Sequence, residues 1–341
     1  MTYQTIYSII KLGIFKEAEM NTLDNSKELI KIINDASSVF LMAHKDLDLD
    51  AINSCIGFDF YLKSLKKKSY IIIDDKTREI GVKKVLEQYG KNIKEIRSKD
   101  ILNVKDENSI LVVLDTNKIK LLQNPEVLNL FDKIINIDHH DKTKDSLKAT
   151  LSIIDTKASS TCEMIATYLK EKEIKINSKL ATLLLAGIIL DTNYYRQKAD
   201  ATTFYMSYYL TMCGGDVNDV NELLKQDIKD YIKRQKMISS VKVINHIAIG
   251  KGSQRTTYKK EEIAKTADSL LTFNKIKASL VVAKVDKELI SISGRSTGEI
   301  NIGKVLEQFG GGGNEYEGAA KIEESNINKV IDELYKIVRN L

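Results

Sequence analysis

VFLMAHKDLDLD, residues Val39–Asp50, is the stretch on which the reading of this chain turns. An apolar run without alternation, from Val39 to Ala43, fits a strand covered on both faces of a parallel sheet, and His44 with a file of aspartates follows it at once. Open α/β sheets bind ligands at the carboxyl ends of their strands, so polar residues placed there are candidates for chemistry. The design recurs downstream. ILVVLDTNK (Ile110–Lys118) delivers Asp115, KIINIDHH (Lys133–His140) delivers Asp138, His139 and His140, and the apolar helix LLLAGIILDT (Leu183–Thr192) closes on Asp191. The chain has 4 histidines, and all but His246 stand in these acidic clusters, a crowding that packing does not explain.

Working outward, strand-like runs at Val39–Ala43, Tyr70–Ile73, Ile110–Leu114 and Lys133–Ile137 alternate with helical stretches. That pattern predicts an α/β protein whose mainly parallel sheet is flanked by helices. After Ser159 the chain reads as helices over Ser160–Lys172, Asn177–Leu190, Ala201–Met212 and Val217–Lys225, then a Lys-rich connector helix over Asp227–Ser239. Beyond it come a strand (Val241–Ile249), a helix (Glu261–Phe273), a possible hairpin (Ala278–Val285 with Leu289–Ser293), a helix (Ile302–Phe309), a glycine run and a last helix (Ile327–Leu341). The reading is two domains: an N-terminal extension 1–22, a catalytic domain 23–225, a helical connector 226–240, and a smaller C-terminal α/β domain 241–341.

Composition narrows the class. With 43% hydrophobic and 29% charged residues over 341 positions, the chain can bury a real core and is not disordered. The net charge of +5 is spread in short Lys/Glu alternations, the mark of solvated helix faces, so no duplex nucleic acid is expected as partner. Cys55, Cys162 and Cys213 have no CxxC spacing, which argues against a disulfide framework and a structural zinc site and fits a reducing cytoplasm. The apolar segment IYSIIKLGIF (Ile6–Phe15) is interrupted by Lys11 and too short to span a bilayer. It reads as a helix packed on the protein or on a partner, and a homodimer is one way to cover it.

The acidic residues then point to cations. Asp48 and Asp50, two apart in an extended or loop segment, face the same side, with His44 adding a nitrogen. Asp46 shares the alternation and imitates a ligand. Four carboxylates (Asp48, Asp50, Asp115, Asp191) gathered without compensation would raise one another's pKa values and destabilise the fold. Two divalent ions cancel that charge, and a bridging carboxylate, a role open to Asp115, would hold them roughly 3.5 to 4 Å apart, the spacing that clamps the attacking and leaving oxygens of a phosphoryl group. Mixed Asp/His donors without thiolate favour Mn²⁺, with Mg²⁺ or Co²⁺ as substitutes.

Taken together, AHKDLDLDAI (Ala43–Ile52), VVLDTNK (Val112–Lys118), IDHH (Ile137–His140) and AGIILDTNYY (Ala186–Tyr195) resemble the four motifs of the DHH phosphoesterase superfamily. SGRSTGEINIGKVLEQFGGGG (Ser293–Gly313) is similar to its companion DHHA1 domain. Carried over residue by residue, the resemblance implies one metal held by His44, Asp48 and Asp115 and another by Asp50, Asp115, His139 and Asp191. It implies His140 as the catalytic or phosphate-contacting histidine, with Asp138 orienting the imidazoles. In the C-terminal domain it implies substrate contacts from Ser293, Arg295, Ser296, Gly311, Gly312, Gly313 and Asn314, the last standing where the family pattern has histidine.

ASSTCEMIATYL (Ala158–Leu169) and LDTNYYRQKADATTFYMSYYLTMCGGD (Leu190–Asp216) are most similar to the catalytic part of the cyclic di-AMP phosphodiesterases. The resemblance implies hydrolysis of cyclic di-AMP to pApA by a soluble, stand-alone form without the membrane, PAS and GGDEF segments of that branch. A second reading is a hydrolase of short linear oligoribonucleotides or 3′-phosphoadenosine phosphate. A third, prompted by Asn314, is a nucleotide-binding sensor without turnover.

Overall fold

The computed structural model describes residues 26–74 and 79–341. The expected N-terminal extension and the segment Ile6–Phe15 lie outside the described residues. The chain divides into two compact units, Met1–Lys225 and Gln226–Leu341.

In the first unit the described elements begin with α1 (Ser26–Asp35), β1 (Ser38–Met42), α2 (Leu49–Ser64), β2 (Lys68–Ile72), α3 (Ile80–Tyr89) and β3 (Glu95–Ile96). They continue through β4 (Ile110–Leu114), β5 (Ile134–Asp138), β6 (Leu151–Ile154), α4 (Thr161–Glu171), α5 (Ser178–Asp191), α6 (Ala201–Met212) and α7 (Val217–Leu223). The strands form one sheet in the order β3-β2-β1-β4-β5-β6, and every neighbouring pair is parallel. The chain builds outward from β1 to one edge and then restarts at β4 toward the other, so the switch point lies between β1 and β4. In open α/β sheets the crevice that takes ligands lies at such a point, at the carboxyl ends of the two strands.

Side-chain alternation explains why these strands are apolar throughout. Val39 and Leu41 enter the core under α2, α4 and α5, whereas Phe40 and Met42 enter a second core on the opposite face with Leu111, Val113 and Phe131. Helix α2 is buried along most of its length. A Cβ added at Gly57 would stand 2.8 Å from Ile165 and 3.0 Å from Leu184, so glycine there lets α4 and α5 approach. Lys66, in the left-handed region at φ 57°, follows the end of α2 and turns the chain into β2.

The structure changes one local reading. Asp48 and Asp50 are not partners on an extended segment: Asp48 is the N-cap of α2, its Oδ1 accepting from Ala51 N at 2.9 Å, and Asp50 lies in the first helical turn. A helix beginning at Leu49, not strand alternation, sets their directions. Asp46, at φ 58°, is exposed.

The second unit comprises α8 (Ile228–Ser239), β7 (Lys242–Ile244), β8 (Ile247–Lys251), α9 (Lys260–Leu270), β9 (Ala278–Asp286) and β10 (Leu289–Ser296). It ends with α10 (Ile302–Glu307), β11 (Gly312–Gly313), β12 (Glu317–Glu323) and α11 (Ile327–Arg339). The sheet order is β11-β12-β10-β9-β8-β7, antiparallel except between β8 and β9. Helix α9 covers one face through Ile263, Ala267 and Leu270, and α11 buries Val330, Ile331, Leu334 and Val338 on the other.

One expectation is corrected in this unit. The single strand expected over Val241–Ile249 is a hairpin, reversed at Asn245 and His246, both in the left-handed region at φ 48° and 63°. His246 therefore sits in a turn, where its Nδ1 bonds Lys275 O at 3.0 Å. The helix read as a connector, α8, packs Met237 into this unit's core beside Ala248 and Tyr258.

Candidate metal centre

Five of the elements converge at the β1/β4 crevice. His44 stands just past β1, where its Nδ1 donates to Lys45 O at 2.7 Å and Lys45 N donates to Leu121 O at 2.7 Å. That bond fixes the ring, because a carbonyl only accepts, and it turns Nε2 toward Asp48 Oδ2 (3.7 Å) and Asp115 Oδ2 (3.4 Å). Asp115 directly follows β4 in the left-handed region at φ 58°. A non-glycine residue there is strained, a condition that functional sites retain when their surroundings enforce it. Its amide donates to Ile137 O at 3.0 Å, so the neighbouring strand helps to hold the turn.

His139 follows β5 and is buried. Its Nδ1 faces Ala158 O at 3.4 Å, while Nε2 lies 3.1 Å from Asp191 Oδ2 and 3.5 Å from Asp115 Oδ1. Nε2 is buried between these two carboxylates as close charge partners, without an aligned hydrogen bond to either. Asp191, the last residue of α5, completes the group.

Ligand atoms within 4.8 Å of one another define three overlapping groups: His44, Asp48, Asp115; Asp50, His139, Asp191; and Asp115, His139, His140. All six residues expected from the sequence as metal ligands are thus brought together, and Asp115 faces both histidine sides, through Oδ2 to His44 and Oδ1 to His139. The electrostatics follow from crowding these acids in a buried place. Burial, then the charge of Asp50, pushes the Asp115 carboxyl well above the usual range and that of Asp191 to about 6. Burial alone would lower the histidine pKa values, but Asp191 and Asp115 hold His139 up at about 10, and Asp48 and Asp115 hold His44 up at about 12. The cluster retains protons because it is short of positive charge. Imidazole nitrogens among hard carboxylate oxygens fit divalent cations of the Mn²⁺ or Mg²⁺ type.

His140 sits at the rim, its ring 4.2 Å from that of His139 and its side chain 45% exposed. Asp138, fully buried, accepts from His140 Nδ1 at 2.7 Å and from its amide at 3.2 Å. Asp138 thus orients His140 but not His139, whose Nδ1 faces Ala158 O instead.

Sequence reading missed three supports. Asn117 Nδ2 donates to Asp138 Oδ2 at 2.7 Å and to His140 O at 3.0 Å, fastening the DHH turn to the end of β4. Gly187 lets α5 pass beside Asp50: an added Cβ would collide with Cys162 Sγ and lie 2.9 Å from Asp50 Oδ1. The N-terminus of α4 donates the amides of Thr161 and Cys162 to the two oxygens of Asp50, each at 2.8 Å. Only this last had a sequence signal, the pair Ser160 and Glu163 three residues apart, which marks a helix start.

The residues expected to bind substrate in the second unit are mostly engaged with their own chain. Arg295 Nε donates to Asp268 Oδ1 at 2.7 Å. Ser293 is buried on β10, and Ser296 Oγ accepts from Gly298 N at 3.0 Å. The glycine run is not a loose loop. Gly311 N donates to Leu306 O at 2.9 Å, and Gly312 and Gly313 pair with Ala319 and Gly318 as the edge strand. Asn314 Oδ1 accepts from Tyr316 N and Glu317 N at 2.8 and 2.9 Å and so folds the turn that follows.

Residues 38–188 match the DHH family, N-terminal domain, and residues 240–340 match the DHHA1 domain; the chain belongs to this DHH/DHHA1 family. Among known proteins it is similar to the cyclic-di-AMP phosphodiesterase GdpP of Geobacillus thermodenitrificans, with 30% identity over 92% of this chain and 49% of the relative. It is also similar to the cyclic-di-AMP phosphodiesterase PdeA of Listeria monocytogenes, with 28% identity over 92% of this chain and 49% of the relative. The chain spans about half the length of these curated relatives. In fold it is similar to an exopolyphosphatase-related protein from Bacteroides fragilis, with TM-score 0.75, 18% identity, and coverage of 92% of this chain and 95% of that one. Among the described residues no helix is long and apolar enough to cross a membrane.

Proposed function

We propose that the chain is a metal-dependent phosphodiesterase that hydrolyses cyclic di-AMP to pApA at a pair of Mn²⁺ ions. The observation that carries the reading is the set of overlapping Asp/His groups, linked through Asp115 and His139, in which Asp115 turns Oδ2 to His44 and Oδ1 to His139. The names of the relatives supply the substrate class. One ion would be held by His44, Asp48 and Asp115, the other by Asp50, Asp115, His139 and Asp191. Bound there, divalent cations supply the positive charge that polarises a phosphoryl oxygen and make a nucleophile available at neutral pH.

The chain's own residues do the rest. His140, fixed at Nδ1 by Asp138, offers Nε2 to a non-bridging phosphate oxygen or to the departing 3′ oxygen. Water adds to phosphorus, the bond to the 3′ oxygen breaks, and that oxygen takes a proton; the product carries a 5′-phosphate and a 3′-hydroxyl, which is pApA. Arg295, held by Asp268, would contact the far phosphate, with Ser293, Ser296, Gly311–Gly313 and Asn314 lining the second half-site.

Chromatography of products after incubating the protein and Mn²⁺ separately with cyclic di-AMP and with pApA tests the reading. Conversion of the cycle to pApA is the expected result. Consumption of pApA alone would make the protein a hydrolase of short linear nucleotides, and turnover of neither would overturn the cyclic di-AMP reading in favour of 3′-phosphoadenosine phosphate, another substrate or a sensor role.

A further inference from the structure

We propose that Thr161 is a positioning residue that couples the two cation positions, its hydroxyl setting the affinity of the Asp50–His139–Asp191 side in particular. The inference rests on the metal-centre reading above and deepens it.

Thr161 is the first residue of α4 and fully buried. Amides in the first turn of a helix have no acceptor within the helix. Ser160, the N-cap, accepts from Glu163 N at 3.0 Å, which leaves the amides of Thr161 and Cys162 to find other partners. Both reach a single carboxylate: Thr161 N donates to Asp50 Oδ2 and Cys162 N to Asp50 Oδ1, each at 2.8 Å. The hydroxyl of the same threonine donates to Asp115 Oδ1 at 2.9 Å. One residue therefore ties together two acids that repel each other and that sit 111 and 46 positions away in sequence.

The oxygen that Thr161 chooses makes the role directional. Asp115 Oδ1 is the atom facing His139, at 3.5 Å, whereas Oδ2 faces His44, at 3.4 Å. Both contacts of Thr161 thus fall on the His139 side. An ionised carboxylate has about four lone-pair directions, so an oxygen holding one hydrogen bond still has one for an ion. Without the hydroxyl, Oδ1 loses a donor that fixes it on the His139 side, while Oδ2 keeps its approach to His44. Partners that orient ligands in this way typically contribute 10–100-fold to metal affinity.

The test is a Mn²⁺ titration of the chelator-treated full chain by calorimetry, with free Mn²⁺ followed by electron paramagnetic resonance. The melting temperature of the metal-free protein is recorded alongside. The wild type should take up two ions. Thr161→Val, which keeps the shape and removes the donor, should bind one ion as the wild type does and the other at least about tenfold more weakly. Thr161→Ser, which keeps the donor, should restore wild-type binding of both, and Thr161→Ala serves as a second donorless variant should valine disturb folding. Unchanged binding of both ions by the donorless variants would overturn the inference alone. So would equal loss of both ions in Thr161→Val and Thr161→Ser with a lowered melting temperature, the sign of a packing role. A wild type that takes up fewer than two ions would overturn the inference, and one that takes up none would overturn the metal-centre reading with it.

Discussion

The crevice of the first unit and the β10–β12 surface of the second were both picked out by sequence, yet they look opposite in structure. At the crevice the chosen side chains crowd together as close carboxylate–imidazole pairs: His139 Nε2 is buried between Asp191 and Asp115 without an aligned hydrogen bond, and burial and the charge of Asp50 push the Asp115 and Asp191 carboxyls up. On β10–β12 the chosen groups are already bonded, Arg295 to Asp268 and Asn314 to the turn it folds. An ion site must leave lone pairs unsatisfied, since the ion is what satisfies them. A surface that recognises an organic ligand can stay folded by its own bonds and lend its remaining donors when the ligand arrives. The first kind of site is therefore visible without its ligand, and the second is not.

The largest expected effect breaks the crevice itself. Asp115→Ala removes the carboxylate shared by both histidine sides and should abolish turnover together with Mn²⁺ uptake, a loss beyond the 10–100-fold typical of an orienting partner. Metal analysis of the purified variant beside its kcat is the check; retained turnover would refute the shared role. Next, His140→Ala should keep two ions and lower kcat by about 10²–10⁴-fold, the range of a lost general acid. Loss of metal in that variant would make His140 a ligand instead.

The other side of the comparison is tested by Arg295→Ala. It should raise KM for the dinucleotide by roughly tenfold, about the 1.5–3 kcal/mol of a hydrogen bond to a charged group at its lower end, with Mn²⁺ uptake unchanged. A parallel fall in metal affinity would show that the two regions do not act separately.

The smallest effect concerns pH and stability. Asp191 is raised to about 6 in the metal-free fold, above an unfolded carboxyl near 3.9, so between those values the folded state holds a proton that the unfolded chain has lost. Stability then falls as pH rises through that window. His139, raised to about 10, contributes stability that is full below about 6.5 and is lost as pH rises toward 10. Both have the same sign, so the chelator-treated protein should melt a few degrees lower at pH 8 than at pH 5. Mn²⁺ should flatten or reverse that slope by replacing the protons. Parallel melting profiles with and without Mn²⁺ would break the contrast between the regions.

Much of the crevice was legible before folding. A parallel strand buried on both faces must be apolar along its length, so the first polar residue after Ala43, Leu114 or Ile137 announces the strand's end and the edge of the sheet where ligands bind. The turn at Asn245 and His246 was not legible, because the flanking residues are apolar and neither glycine nor proline marks the reversal. The direction of Asp50 was misread for a related reason. Strand alternation and a helix's first turn both place residues 48 and 50 near a cavity, and only the Asp48 cap decides between them.

By itself, then, the sequence determined the two-unit α/β class, the order of strands and helices around the crevice, and the residue types able to hold cations. Those follow from local rules of burial, periodicity and donor chemistry, which act over a few residues at a time. Tertiary structure alone decided that Thr161 clasps Asp50 and Asp115, that Asn117 fastens Asp138, and that Gly187 makes room for Cys162 and Asp50. Each depends on atoms from distant parts of the chain meeting within hydrogen-bonding or van der Waals range, and such meetings are set by how helices pack on the sheet rather than by any local pattern.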